Sequence, residues 1–292
     1  MKLRNLLTLL RPGHWLKNGL VLAALFFSFS FTWPTLWLAV RALVAFCVLA
    51  SAVYVINDLA DADRDRHHPT KKNRPIASGA VQPRQAKQLA TLLLLIAGWL
   101  LFLAGWPVLF VGLLYLLMNL AYSAGLKHVP IVDVMIIAMG FLLRVIAGAL
   151  AIHVAISHWI ILCTFFLALF VAFGKRKHEM MILDEARNSH RQSMREYTDG
   201  FIDQMLSLTA TTAVVFYSLY TIDVQTIERF GGDTLIYSTP IVVFGVLRYY
   251  YLLYNRGLGG DPVKLFARDR ALLLASLIWL LTILGVYIYN VR

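Results

Sequence analysis

The residues best placed to do chemistry lie together in 57–79, which reads NDLADADRDRHHPTKKNRPIASG between two long apolar runs. Asp58, Asp61 and Asp65 are spaced i, i+3, i+7, so a preceding apolar helix that continues through them stacks their carboxylates on one face. Asp63 points elsewhere. Three like charges on one stripe repel one another unless a cation neutralises them, and a divalent metal is the obvious candidate. Hard oxygen ligands with no His or Cys among them suit Mg²⁺, or Mn²⁺, better than zinc, and Mg²⁺ takes its remaining ligands from water and substrate phosphates. Lys71, Lys72 and Arg74 follow directly and can take the phosphate oxygens that the metal leaves free. The stretch therefore predicts a metal-diphosphate site. The plainer alternative is a solvated charged loop that orients the chain; the abutting helix end and the turn shaped by Pro69, Pro75 and Gly79 favour the former.

The elements that position this stretch follow from composition. The chain has 292 residues, 59% hydrophobic and only 15% charged, with a mean hydropathy of +0.68, against about 25% charged residues in soluble globular chains. It reads as an all-α, polytopic membrane protein. Apolar runs approach the roughly 20 residues a helix needs to cross a bilayer and lack the alternation of a membrane barrel. Cys47 and Cys163 sit singly in apolar runs and read as small buried residues. Lys2, Arg4, Arg11 and Lys17 precede an apolar run with no small-residue cleavage site, which reads as a retained first helix. The net charge of +11 belongs to membrane-flanking loops and requires no nucleic-acid partner.

Nine spans are expected, over about 18–32, 36–57, 86–105, 107–126, 131–152, 157–174, 201–221, 236–254 and 271–290. Basic residues fall on one alternate set of ends. The positive-inside rule then places the N-terminus and the polar loops in the cytoplasm and the C-terminus outside. The integral protein would sit in the cytoplasmic (inner) membrane with its site open to the cytoplasm. One exception to the short outer connections is 222–235, read as structural.

Further polar residues punctuate the spans. Tyr122 and Lys127 end the fourth; Asp133 opens the fifth, as a site residue or a helix cap; Arg144 lies deep within it. An intramembrane Arg is functional or paired within the bundle. Lys175, Arg176 and Lys177 form a basic cluster that either contacts lipid headgroups or lines an anion pocket. Arg248, among three tyrosines, reads as a snorkelling residue in an interfacial belt. A second acidic stripe, Glu196, Asp199 and Asp203, repeats the first spacing, although an N-cap at Thr198 takes Glu196 off it. The two stripes, at 57–65 and 196–203, suggest two walls of one metal site and a two-half pseudo-repeat within a single domain over 1–292.

Asn57-Asp58-x-x-Asp61-x-x-x-Asp65 followed by Arg74-Pro75-Ile76-x-Ser78-Gly79 resembles the first signature of the UbiA superfamily of intramembrane prenyltransferases. Asp199-x-x-x-Asp203 sits where that family's second motif belongs. The resemblance implies a nine-helix bundle around a central cavity that binds a Mg²⁺-diphosphate donor. Several stretches are similar to the decaprenyl-phosphate phosphoribosyltransferase branch: Arg11-Pro12-x-x-Trp15-x-Lys17-Asn18, His68-Pro69-Thr70-Lys71, Tyr122-Ser123-x-x-Leu126-Lys127, Pro130-x-x-Asp133, Leu143-Arg144-x-x-Ala147-Gly148 and Gly174-Lys175-Arg176.

That branch implies transfer of 5-phosphoribose from phosphoribosyl diphosphate to a polyprenyl phosphate, an early step toward lipid-linked arabinose donors. Asp58, Asp61 and Asp65 would then be catalytic and, with Asp199 and Asp203, metal ligands. Asn57, Lys17, Lys71, Lys72, Arg74, Tyr122, Lys127, Asp133, Arg144, Lys175 and Arg176 would bind substrate. Lys175 and Arg176 would take the ribose 5-phosphate, and Arg144 or Lys127 the lipid phosphate, or the reverse. The cations beyond those on the diphosphate favour two phosphorylated substrates. Prenyl transfer to an aromatic acceptor stands as the alternative, and a non-enzymatic transporter or scaffold as the second. The oligomeric state is not legible.

Overall fold

The computed structural model describes residues 2–67, 71–183, 197–260, 265–266 and 268–291. Of the residues singled out above, His68, Pro69, Thr70 and Glu196 lie outside the described residues. Among those described there is no strand; the helices are α1 (Leu3–Leu10), α2 (Ala23–Ser28), α3 (Trp33–Ala60), α4 (Ala62–Arg66), α5 (Pro83–Ala104), α6 (Trp106–Ala124), α7 (Val132–Ala151), α8 (His158–Leu183), α9 (Asp199–Thr221), α10 (Val224–Phe230), α11 (Thr239–Arg256) and α12 (Arg270–Val291). Seven helical spans, Trp33–Ala60, Pro83–Ala104, Trp106–Ala124, Val132–Ala151, His158–Met181, Thr234–Arg256 and Arg270–Asn290, are long and apolar enough to cross a membrane. The bent pair α9 and α10, at 58°, makes an eighth candidate.

The chain divides into two compact units, Met1–Lys127 with Gly140–Ala155, and His128–Met139 with Ile156–Arg292. The first acidic stripe belongs to one and the second to the other.

In the first unit α3 is the axis, packed along α5 and against α6. Thr32 caps it reciprocally with Thr35, and Pro34 occupies its first turn. Its buried face carries Ala39, Ala42, Ala45, Ala50 and Ala52, and α5 buries Ala86, Ala90, Leu93, Ala97, Leu101 and Ala104 on one stripe. Small residues at such spacing let helices approach closely without a hydrophobic drive, as packing in lipid requires. The opposite face of α5 exposes Leu92, Leu95, Trp99 and Phe102, an apolar surface that suits acyl chains and not water.

The expected first span over 18–32 takes a different form. Pro12–Leu22 is a 3₁₀ helix, α2 follows for six residues, and Phe29 turns into the left-handed region. Pro12, Gly13 and Gly19 weaken an α-helix here. Tertiary contacts then settle the path: Asn18 is fully buried, and Val21 approaches α7 so closely that a β-carbon on Gly148 would lie 2.7 Å from the Val21 carbonyl carbon. Eleven 3₁₀ residues and six α residues extend roughly 31 Å end to end, comparable with the hydrocarbon thickness.

In the second unit α8 packs along α9, and α11 packs against α12. α8 does not end near residue 174 as expected but runs on to Leu183, so the basic cluster is helical. Gly174 permits this path beside α11, since a β-carbon there would meet the Tyr249 ring at 2.8 Å. Arg248, expected to snorkel among three tyrosines, has a carboxylate partner. Its guanidinium grips Asp269 with two bonds of 3.1 and 2.8 Å, and Asp269 also accepts from the Leu272 amide at the start of α12.

Candidate active site

The first acidic stripe is split by the backbone. α3 stops at Ala60, Asp61 adopts φ −94° and ψ 2°, and α4 restarts at Ala62. Carboxylates at a helix C-terminus face the negative end of its dipole and favour termination there. Asp58 and Asp65 consequently lie buried together, while Asp61 turns to a different cation. The expectation of three carboxylates on one continuous helical face is corrected at this point. Asp63 does point away, exposed and paired with Arg66 at 3.2 Å.

Arg74 holds the buried pair. One guanidinium nitrogen donates to Asp58 Oδ1 at 3.0 Å and to Asp65 Oδ2 at 2.6 Å. The 71–81 loop aims it: Ile76 and Val81 plug an apolar cluster with Leu9, Val55 and Ala86, the Val81 amide bonds the Pro75 carbonyl at 2.8 Å, and Gly79 turns at φ +77°, a conformation glycine adopts without a Cβ penalty. Arg11 adds a second cation, donating to Asp58 Oδ1 at 2.6 Å with its guanidinium 5.0 Å from the Tyr54 ring centre. Lys127, itself buried, donates to Asp61 Oδ1 at 2.6 Å. The Ser123 hydroxyl donates to Asn57 Oδ1.

The cation demanded by this acidic stretch is thus supplied by three side chains, Arg11, Arg74 and Lys127. Among the described residues no group of three or more His, Cys, Asp or Glu side chains is gathered as around a metal ion. The donor set still fits a hard divalent cation: oxygens of Asp58 and Asp65 converge on one cationic position, occupied by Arg74, and no softer ligand intrudes. Lys17, Lys71 and Tyr122 are half-buried and Lys72 is exposed in the same unit.

Arg144, 6% exposed, donates to Asn18 Oδ1 at 2.6 Å, to the Gly140 carbonyl at 2.6 Å and to the Tyr115 hydroxyl at 2.9 Å. Each of its nitrogens is held by the chain. Asn18 in turn donates to the Phe46 carbonyl at 3.4 Å, so Arg144 ties the 3₁₀ segment to α6 and α7.

The second unit has its own ionic cluster. Successive helical residues point about 100° apart, which sends Lys175, Arg176 and Lys177 in three directions. Lys177 reaches Asp199 at 3.0 Å and Asp203 at 2.8 Å. Arg176 is buried, with Nε on Asp133 Oδ2 at 2.9 Å and a second nitrogen on Glu179. Lys175, more exposed, faces Glu179 at 3.8 Å. Tyr197 donates to the other oxygen of Asp133 at 2.8 Å and accepts from the Ile131 amide. Burial first, and then the Asp133 carboxylate, push the Tyr197 phenol well above the ordinary tyrosine range, which keeps it a proton donor to Asp133. α9 begins at Asp199, and the Thr198 hydroxyl accepts from the Phe201 amide at 3.2 Å, the cap expected from sequence.

Arg11, Ser123 and Tyr197 are the site residues that reading the sequence for charge spacing missed as participants. Arg11 is the most legible of them in retrospect: a basic residue that ends one short helix and precedes Pro12, in the left-handed conformation at φ 52°.

The chain is 35% identical to a decaprenyl-phosphate phosphoribosyltransferase of Mycolicibacterium smegmatis, over 98% of this chain and 92% of the relative. It is 34% identical to the protein of the same name from Corynebacterium glutamicum, over 96% and 86% respectively. Among solved structures, a UbiA homologue from Archaeoglobus fulgidus bound to GPP and Mg²⁺ superposes with a TM-score of 0.73 at 20% identity, covering 99% of this chain and 100% of the other. The profile of the UbiA prenyltransferase family matches residues 19–268, and with an all-helical fold of apolar spans and an acidic cluster at the end of α3, the chain belongs to that family.

Proposed function

We infer that the protein transfers 5-phosphoribose from phosphoribosyl diphosphate to a polyprenyl phosphate, releasing diphosphate and leaving a polyprenyl-phosphoryl-5-phosphoribose. The observation that carries this reading is the near-full-length likeness to decaprenyl-phosphate phosphoribosyltransferases, supported by cations in both units beyond those on the acidic stripes.

A divalent metal, Mg²⁺ or Mn²⁺, would neutralise the leaving diphosphate. Asp58, Asp61 and Asp65, with Asn57, would hold it in the first unit; Asp199 and Asp203 serve the same chemistry in the second. Arg74, Lys71 and Lys72 take remaining phosphate charge. As the C1–O bond to diphosphate breaks, an oxygen of the lipid phosphate forms the new bond to C1 from the opposite face, with inversion. The acceptor phosphate is already ionised and needs no strong base. Lys175, the more exposed member of its cluster, takes the ribose 5-phosphate; Lys127 and Lys17 orient the lipid phosphate, with Tyr122 near Lys127 in the chain. Arg144, Arg176 and Asp133, whose bonds are made within the chain, position these groups. The protein acts from the cytoplasmic face of the inner membrane.

The test is thermal stabilisation of the purified protein by phosphoribosyl diphosphate with Mg²⁺, set beside a prenyl diphosphate with Mg²⁺, each with an EDTA control, followed by transfer of labelled phosphoribose to polyprenyl phosphate. The expected result is a metal-dependent shift with the ribose donor and label in the lipid phase. A shift confined to the prenyl donor overturns the reading and assigns prenyl transfer to an aromatic acceptor.

A further inference from the structure

The acidic cluster of the first unit is closed in charge. Asp58, Asp61 and Asp65 carry three negative charges, and Arg11, Arg74 and Lys127 supply three positive ones at 2.6–3.0 Å. Asp58 is the crowded member, with two guanidinium groups on the same oxygen Oδ1.

Arg11 differs from the other two cations in how it is held. It pairs with Asp58, whereas Arg74 bridges Asp58 and Asp65. Arg11 is a non-glycine residue at φ 52° and ψ 57°, a left-handed conformation that L-residues other than glycine rarely adopt. Its amide caps α1 by bonding the Leu7 carbonyl at 3.1 Å, and Pro12 fixes the backbone that follows. The side chain is partly exposed, 22%, whereas Asp58 is 3% exposed. A long, partly exposed cation anchored at a rigid cap beside a buried partner can change partners without moving the backbone; Arg74, at 28%, is no more buried but is tied to two carboxylates.

We propose that Arg11 is an exchangeable counter-ion for Asp58 that makes metal and diphosphate bind as a unit. In the substrate-free protein Arg11 and Arg74 occupy Asp58, so a divalent cation alone must displace a guanidinium and strand its charge. When diphosphate comes with the metal, Arg11 leaves Asp58 for a phosphate oxygen, and both carboxylate and guanidinium stay neutralised. Arg11 is thus a further phosphate-contacting residue and the origin of coupling between the two ligands. This inference rests on the metal-diphosphate reading of the site.

The experiment measures free Mn²⁺ by electron paramagnetic resonance during titration of the full chain in detergent, with and without inorganic pyrophosphate, corrected with Asp58→Asn as blank. Wild type should bind Mn²⁺ about tenfold or more tightly with pyrophosphate present. Arg11→Asn, which tolerates the left-handed cap, should bind Mn²⁺ alone several-fold more tightly than wild type and lose most of the enhancement by pyrophosphate. Arg11→Lys should restore part of it. Equal Mn²⁺ affinity in wild type with and without pyrophosphate, or unchanged coupling in Arg11→Asn, overturns the inference while leaving the metal site standing. No Mn²⁺ uptake above the blank under either condition overturns the metal-diphosphate reading itself, and the inference with it.

Discussion

Arg176 and Lys175 are neighbours in sequence with opposite roles in the structure. Arg176 and Asp133 are both essentially inaccessible, 1% and 0% exposed, and removing one partner of a buried pair strands the other's charge, at a cost of about 3–5 kcal/mol. Arg176→Ala should therefore lower the melting temperature sharply and reduce yield of folded protein. Lys175, with a side chain 42% exposed and its Glu179 partner 3.8 Å away, contributes little to stability. Lys175→Ala should leave the melting temperature nearly unchanged and raise the donor KM about tenfold or more, the loss of one charge-assisted contact. Steady-state kinetics beside melting curves separate the two. A folded Arg176→Ala with only a raised donor KM would return the 5-phosphate contact to Arg176. A charge held by the chain recurs in the first unit, where Arg144 is bonded at every nitrogen and ties down the 3₁₀ segment.

The 3₁₀ segment Pro12–Leu22 is the element on which the first site depends, since it follows directly from Arg11 and carries Asn18 to Arg144. Its approach to α7 requires glycine at 148. Gly148→Ala would place a methyl group within the volume of the Val21 carbonyl, backbone that cannot turn aside as a flexible side chain can. The expected result is a large drop in melting temperature with loss of activity. Gly98→Ala on α5 is the control, because nothing lies within 4 Å of a β-carbon there; it should melt like wild type. Comparable behaviour of the two variants would show that the segment is not pinned by α7.

At the scale of the whole molecule, seven helices and one bent pair among the described residues are long and apolar enough for up to eight crossings. A ninth requires 12–28 to cross as well, which its length allows. Nine crossings put the termini on opposite sides and eight put them on the same side. With the basic loops in the cytoplasm, an alkaline phosphatase fused after Arg292 should be active and one fused at the N-terminus inactive. An active N-terminal fusion would make 12–28 a segment that does not cross. The same asymmetry underlies the proposal that a water-soluble donor reaches the protein from the cytosol.

Much of this protein is determined by its sequence alone. Hydropathy and length place seven of the nine expected spans within a few residues, and the start of α8 as well, because a bilayer of fixed thickness leaves helices as the economical way to satisfy the backbone. The acidic and basic runs, the Thr198 cap and the family signature are equally local. Tertiary structure decided what spacing could not. The break at Asp61 sends Asp58 and Asp65 to one cation and Asp61 to another, since the helix end yields to its charge partners. Arg11 enters the cluster from residues far away in the chain, through a left-handed cap that periodicity does not signal. Arg176 and Lys177 take different acids only because α8 continues as a helix past Gly174. In each case the deciding term is pairing between charges remote in sequence under low exposure, where an unpaired charge is costly and partners are chosen by the packing of helices.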